Sequence, residues 1–188
     1  KAQMVPVGRD QLPHIELTRE VARKFNQMFG VVFPEPEAFL TPGEVVPSLL
    51  GEGKMSKSIE GSYIVLTDGL QTIKERLAKV PTDLGRGKKL PQEGGVANLL
   101  VLVELFLGKA AKVEYEKQYL TTGIKYQELK VCLAEAIYQE LKPIQERRKY
   151  FESNPKLVEE ILEEGRRYCS RIAQRTLGQV KQAMGLLP

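Results

Sequence analysis

The chain has 188 residues, 42% of them hydrophobic and 28% charged, with a formal net charge of +4 and a pI near 9.0. That length carries one large core or two modest ones, and that balance excludes extended disorder. The mild positive charge suits contact with phosphate or nucleic acid but says nothing of fold. No apolar run approaches the roughly twenty residues of a membrane span. The longest, residues 96–107, is broken by Asn98 and Glu104, so no membrane partner is expected. Cys132 and Cys169 stand singly in helical patterns, which predicts buried or half-buried thiols in a cytoplasmic protein, with no disulfide and no metal site. The sequence opens on Lys1-Ala2-Gln3 without an initiating Met or a signal peptide, and reads as a piece of something longer.

Met4-Val5-Pro6-Val7 is a short apolar run closed by Gly8, after which Ile15, Ala22, Phe25 and Phe29 recur at helical spacing. This predicts a strand, a turn at Gly8-Arg9-Asp10-Gln11, and a helix with Asp10 as its N-cap and Pro13 in its first turn. A strand-to-helix turn can hold a nucleotide, because the helix N-terminus offers N–H groups and a positive dipole end. On the residues alone a plain capping role for Asp10 is the favoured reading. His14 is the only histidine, and no Ser, Cys or Asp is spaced to form a triad with it. Pro34-Glu35-Pro36-Glu37 excludes a helix interior and predicts a rigid surface crossing. Residues 44–50 then form an apolar stretch.

Lys54-Met55-Ser56-Lys57-Ser58 follows, set among Gly51, Gly53 and Gly61. Two lysines and two hydroxyls on a glycine-loosened backbone can meet a polyphosphate with ammonium charge and hydroxyl donors together; by themselves they also fit a solvated loop. Tyr63-Ile64-Val65-Leu66 is a β-rich run, and Thr67 or Asp68 can cap a helix faced by Leu70, Ile73, Leu77 and Val80 and stopped by Pro81. Residues 82–93, with Arg86-Gly87-Lys88-Lys89, predict a flexible basic linker.

From Gly94 onward the pattern is helical: 96–107 closed by Gly108, then 110–119, then 126–151 with Pro143 as a kink. A last helix starts at Asn154-Pro155, with Val158, Ile161, Gly165, Tyr168, Ile172, Thr176, Val180 and Met184 as its stripe. The whole predicts the second half of an α/β nucleotide-binding domain, residues 1–81, followed by an all-α helical bundle, residues 94–188. Arg166, Arg167, Arg171 and Arg175 form either a solvated face balanced by Glu159, Glu160, Glu163 and Glu164, or a basic surface for nucleic acid.

The pentapeptide at 54–58 reads KMSKS and resembles the second signature of class I aminoacyl-tRNA synthetases. Residues 5–11, VPVGRDQ, with His14-Ile15-Glu16-Leu17-Thr18-Arg19, are similar to the bacterial tryptophanyl-tRNA synthetase segment that usually reads VPVGEDQ and then HxELTR. Segments at 94–100, 141–147 and 183–186 resemble the matching parts of the same group, so the likeness runs along nearly the whole chain. The first class I signature, HIGH, is not matched by Pro13-His14-Ile15-Glu16, and is expected ahead of Lys1.

The resemblance implies a Rossmann-like class I fold, and attachment of tryptophan to tRNA through an adenylate made from ATP. It implies Lys54 and Lys57 on the phosphates, with Gly8, Arg9, Asp10, Val46, Met55, Ser56 and Ser58 also around ATP. Val5 and Val7 would line the indole pocket and Gln11 would face the amino acid. Arg9 stands where the family usually has Glu, which reverses a charge beside the nucleotide. The helical part is implied to bind the anticodon, Mg2+ to accompany the triphosphate, and the intact enzyme to be a homodimer. The isolated 188-residue chain is expected not to activate tryptophan. The tyrosine enzyme, with a similar turn and loop, and a non-catalytic nucleotide- or RNA-binding relative are the alternatives.

Overall fold

A computed structural model describes residues 1–40, 43 and 45–186; Glu44, where the apolar stretch begins, lies outside the described residues. The described residues are mostly helical, with one two-stranded parallel sheet. The chain divides into two compact units, one joining Lys1–Glu44 with Phe151–Pro188 and the other Val45–Tyr150.

In the first unit, β1 (Met4–Pro6) and β2 (Glu37–Phe39) run parallel, with Met4 opposite Glu37, Val5 opposite Ala38 and Pro6 opposite Phe39. Parallel strands need a crossover, which α1 (Leu12–Phe29) supplies. The predicted Asp10 cap is not formed: a single 3₁₀ turn at Arg9–Gln11 precedes α1, whose N-cap is Gln11. Beyond α1 the Asn26 side chain folds the chain back. Its Oδ1 accepts from the N–H groups of Val32 and Phe33, and its Nδ2 donates to the Phe33 carbonyl. Phe25 meets Phe29 and Phe33 at ring centroid distances of 5.0 and 5.1 Å. The predicted crossing therefore ends early: Glu37 is already a strand residue, fed into the sheet by buried Pro36.

The same unit contains α6 (Pro155–Ala183), which starts at the predicted Asn154-Pro155. Near its far end Gln179 accepts a hydrogen bond from Lys1 Nζ at 2.7 Å. None of its residues is buried, and Ile161, Tyr168, Ile172 and Met184 of the predicted stripe are exposed.

The second unit holds α2 (Leu70–Ala78), α3 (Gly94–Leu107), α4 (Lys109–Leu120) and most of α5 (Tyr126–Glu152). Ile73 and Leu77 of α2, Leu99 and Leu102 of α3, and Leu129 and Leu133 of α5 are almost fully buried, as is Leu49 ahead of the loop. Each such side chain contributes roughly 1.5–3 kcal/mol of burial. The helix boundaries fall within two residues of those predicted from 94 onward, and Pro143 lies inside α5.

Apart from α2, the chain between 45 and 81 has little regular structure and is held from outside. Asn98 of α3 donates to the Ser48 carbonyl at 2.8 Å, and Gln145 of α5 donates to those of Leu66 and Asp68 at 2.9 and 3.0 Å. Lys130 Nζ donates to the Ala78 and Val80 carbonyls at 3.0 and 2.8 Å, where the end of α2 leaves acceptors unsatisfied. Gly95 comes so close to the Pro81 carbonyl that a Cβ would lie 2.0 Å from its oxygen.

Residues 63–66, expected as β-rich, form no strand. Asp68 does not cap α2, whose N-cap is Gly69; its carboxylate instead accepts from the Val65 N–H and pairs with Arg76, both at 2.9 Å. In the segment 82–93, Asp83 accepts from the Gly85 N–H and the hydroxyls of Tyr119 and Tyr126, at 2.7, 2.5 and 2.7 Å. Cys132 and Cys169 are both exposed, contrary to expectation; α6, which carries Cys169, buries none of its residues. Among the described residues no helix is long and apolar enough to cross a membrane.

Candidate functional site

Two clusters gather the residues singled out by sequence, one in each compact unit. The first is the turn after β1. Val7 donates its N–H to the Phe39 carbonyl at 3.2 Å, extending the pairing one step past the strand. Gly8 is extended (φ −76°, ψ 161°), and its carbonyl accepts from the Gln11 N–H at 3.0 Å, closing the 3₁₀ turn. Val5 and Val7 are half-buried; Arg9, Asp10 and Gln11 are exposed. Val5 also lines an apolar groove of about 450 Å³ with Ile15, Val21, Ala22 and Phe33. The turn thus sets exposed polar residues beside half-buried Val5 and Val7, while the Gln11 and Leu12 N–H groups are taken up by the Gly8 and Arg9 carbonyls and Pro13 has none.

The second cluster is the loop at 46–62. Its two flanks pair as a minimal antiparallel ladder: Pro47 bridges Lys54, Met55 donates its N–H to the Val46 carbonyl at 2.9 Å, and Ser48 donates to Gly53 at 3.1 Å. Val46 is therefore brought beside Met55. Gly51 has φ +95°, and a Cβ there would lie 3.0 Å from the Gly95 N atom, so glycine is required both by conformation and by space. Beyond the ladder the chain makes two consecutive reverse turns, with Ile59 N–H donating to Ser56 and Ser62 N–H donating to Ile59, at 3.1 and 3.2 Å. Lys57 and Ser58 occupy the apex of the first.

Exposure sorts the loop by chemistry. Lys54, Lys57 and Ser58 are exposed, Met55 and Ser56 are half-buried, and Ser48 and Ser62 are buried at 2% and 0% exposure. Met55 rests against the hydrophobic core. The arrangement carries two exposed lysines on a stitched backbone, a pairing of charge and fixed geometry that can meet an anion. Among the described residues no three His, Cys, Asp or Glu side chains converge to hold a metal ion. Ser62 and Asn98 hold the loop although nothing in their spacing marks them; each acts on a carbonyl or N–H whose approach only the fold creates.

The sequence profile of the tRNA synthetases class I (W and Y) family matches residues 1–142. The chain belongs to that family. It is 36% identical over 191 residues to the tryptophan–tRNA ligase of Treponema pallidum, covering 99% of this chain and 56% of that protein. Its structure is similar to that of tryptophanyl-tRNA synthetase from Campylobacter jejuni, solved with ADP and tryptophan (TM-score 0.69, 28% identity, 97% of this chain and 57% of the other). It is also similar to the enzyme from Mycoplasma pneumoniae (TM-score 0.78, 25% identity, 97% and 56%). The chain spans about half the length of the curated relatives it matches.

Proposed function

We propose that this chain carries the KMSKS half of a tryptophan–tRNA ligase. Residues 1–81 would belong to its Rossmann-like catalytic domain, 82–93 to a linker, and 94–188 to a helical anticodon-binding domain. In the first step a carboxylate oxygen of tryptophan attacks the α-phosphorus of ATP, the bond to the α–β bridging oxygen breaks, and pyrophosphate leaves with the electron pair. A tRNA hydroxyl oxygen then attacks the carbonyl carbon of the adenylate, the bond from that carbon to the phosphate oxygen breaks, and AMP leaves with the electron pair while the hydroxyl proton is released. Charge grows on the leaving phosphates, so cations fixed beside them lower the barrier more than they tighten ground-state binding.

The observation that carries this reading is the outward presentation of Lys54 and Lys57 from a loop whose base is buried and hydrogen-bonded. Ser56, Ser58 and the loop backbone, with Val46, Met55, Gly8, Arg9 and Asp10, are assigned to ATP; Val5, Val7 and Gln11 are assigned to tryptophan. Mg2+ would accompany the triphosphate and help neutralise its charge. A cytoplasmic homodimer acting on tRNA completes the proposal.

The test is tryptophan-dependent ATP–pyrophosphate exchange by the intact protein with Lys57→Ala. A loss of at least about tenfold, of order 1.4 kcal/mol in barrier, supports the role, and a smaller change rejects it. The family's name covers tyrosine as well as tryptophan. Exchange stimulated by tyrosine and not by tryptophan would replace the substrate in this proposal.

A further inference from the structure

Ser48 and Ser62 are the two buried polar side chains among the described residues, and both stand at the neck of the 46–62 loop. Ser62 does most of the fastening. Its Oγ accepts from the Ser56 N–H at 3.2 Å and faces the carbonyls of Ser56 and Ile59 at 2.9 and 2.7 Å, to which its single proton is shared. Its own carbonyl accepts from the N–H of Leu49, a core residue, at 2.9 Å. One residue therefore joins the hydrophobic core to both ends of the turn that lifts Lys57 and Ser58.

We infer that Ser62 is a positioning residue, whose hydroxyl fixes the Ser56–Ile59 turn so that Lys57 is set for charge that appears only in the transition state. This rests on the proposed role of the loop. Without the hydroxyl the Ser56 N–H loses its bond, while the backbone bonds Ile59-to-Ser56 and Ser62-to-Ile59 remain. The turn and the backbone bond from Leu49 to Ser62 would survive, but the Ser56 end of the turn would lose its tie to residue 62 and with it the fixed setting of Lys57. Misplacement by about 1 Å costs up to two orders of magnitude in rate where catalysis depends on fixed geometry, with little effect on ground-state binding.

The experiment compares Ser62→Ala, Ser62→Thr and Lys57→Ala in the intact protein. It measures kcat and KM for pyrophosphate exchange, the melting temperature, and tryptic cleavage at Lys54 and Lys57. Ser62→Ala is expected to lower kcat at least about tenfold with KM for tryptophan within about twofold. It is also expected to speed cleavage at the two lysines and to leave the melting temperature within about 4 °C. Ser62→Thr, which keeps the hydroxyl, should recover most of the rate.

An unchanged kcat and cleavage pattern for Ser62→Ala overturns the inference. So does failure to fold, or a parallel loss of tryptophan binding and melting temperature, because these mark a merely structural residue. If Lys57→Ala is active, the reading of the loop falls. If Lys57→Ala is impaired while Ser62→Ala is not, only the role of Ser62 falls.

Discussion

The side-chain amide of Asn98 donates to the carbonyl of Ser48 at 2.8 Å, joining α3 to the neck of the KMSKS loop across 50 positions of sequence. Without it the Ser48 carbonyl keeps only a long 3.4 Å bond from the Gly51 N–H. Asn98→Ala gains a few tenths of a kcal/mol in helix propensity and loses one partly buried hydrogen bond, for a net destabilisation of about 1 kcal/mol. Urea denaturation should show a lower midpoint at unchanged slope.

The Asp83 carboxylate governs a pH dependence. Burial alone would raise its pKa, but hydrogen bonds from Tyr119, Tyr126 and the Gly85 N–H together outweigh it and hold the group below the ordinary carboxylate range. A depressed carboxyl stabilises the fold above its unfolded pKa, and that contribution is lost as pH falls through the folded value. The stability gap between the native protein and Asp83→Asn should therefore be full at neutral pH and vanish in acid. On the alkaline side, the hydrogen bond to Asp83 raises the Tyr119 hydroxyl, and burial followed by the same carboxylate raises that of Tyr126. Both should ionise late in a tyrosinate absorbance titration, and Tyr119 earlier in Asp83→Asn.

Glycine substitutions should split in sign. Gly95→Ala puts a Cβ 2.0 Å from the Pro81 carbonyl oxygen, where neither backbone can yield cheaply, and is expected to cost about 3 kcal/mol or more. Gly165→Ala and Gly178→Ala lie inside α6 with nothing within 4 Å, and each should stabilise by about 0.5–1 kcal/mol. Thermal denaturation of the three variants checks the pair of signs.

If Lys54 and Lys57 serve one leaving group, their effects should not multiply. The double variant Lys54→Ala/Lys57→Ala is expected to lose less in kcat than the product of the single losses, because the first removal already spoils the shared geometry. Simple multiplication of the two losses would assign the lysines to separate tasks.

What the sequence made legible was what local chemistry determines. Gly108 ends α3 and Asn154-Pro155 opens α6 because those signals act within a turn of their own positions. β2 was hidden: it is three residues long, flanked by prolines, and exists only because Met4 lies opposite Glu37, a pairing that no local pattern encodes. The run at 63–66 shows the converse, strand-forming residues with no strand to pair, held instead by Asp68 and Gln145. In the candidate site the lysines and glycines were visible as a composition. The fastening by Ser62 and Asn98 was not, since a buried hydroxyl and a helix amide look ordinary until the fold supplies their partners.

The interleaving of the two compact units bears on how the chain acquires its structure. Val45–Tyr150 is continuous, so its helices can collapse on one another as soon as they are made. The unit built from Lys1–Glu44 and Phe151–Pro188 must bring together two segments far apart in sequence; its Lys1-to-Gln179 bond spans 178 positions. β1 is thus made well before α6, in the unit that closes later of the two, and until α6 has been synthesised the β1–β2 pair has to persist without it.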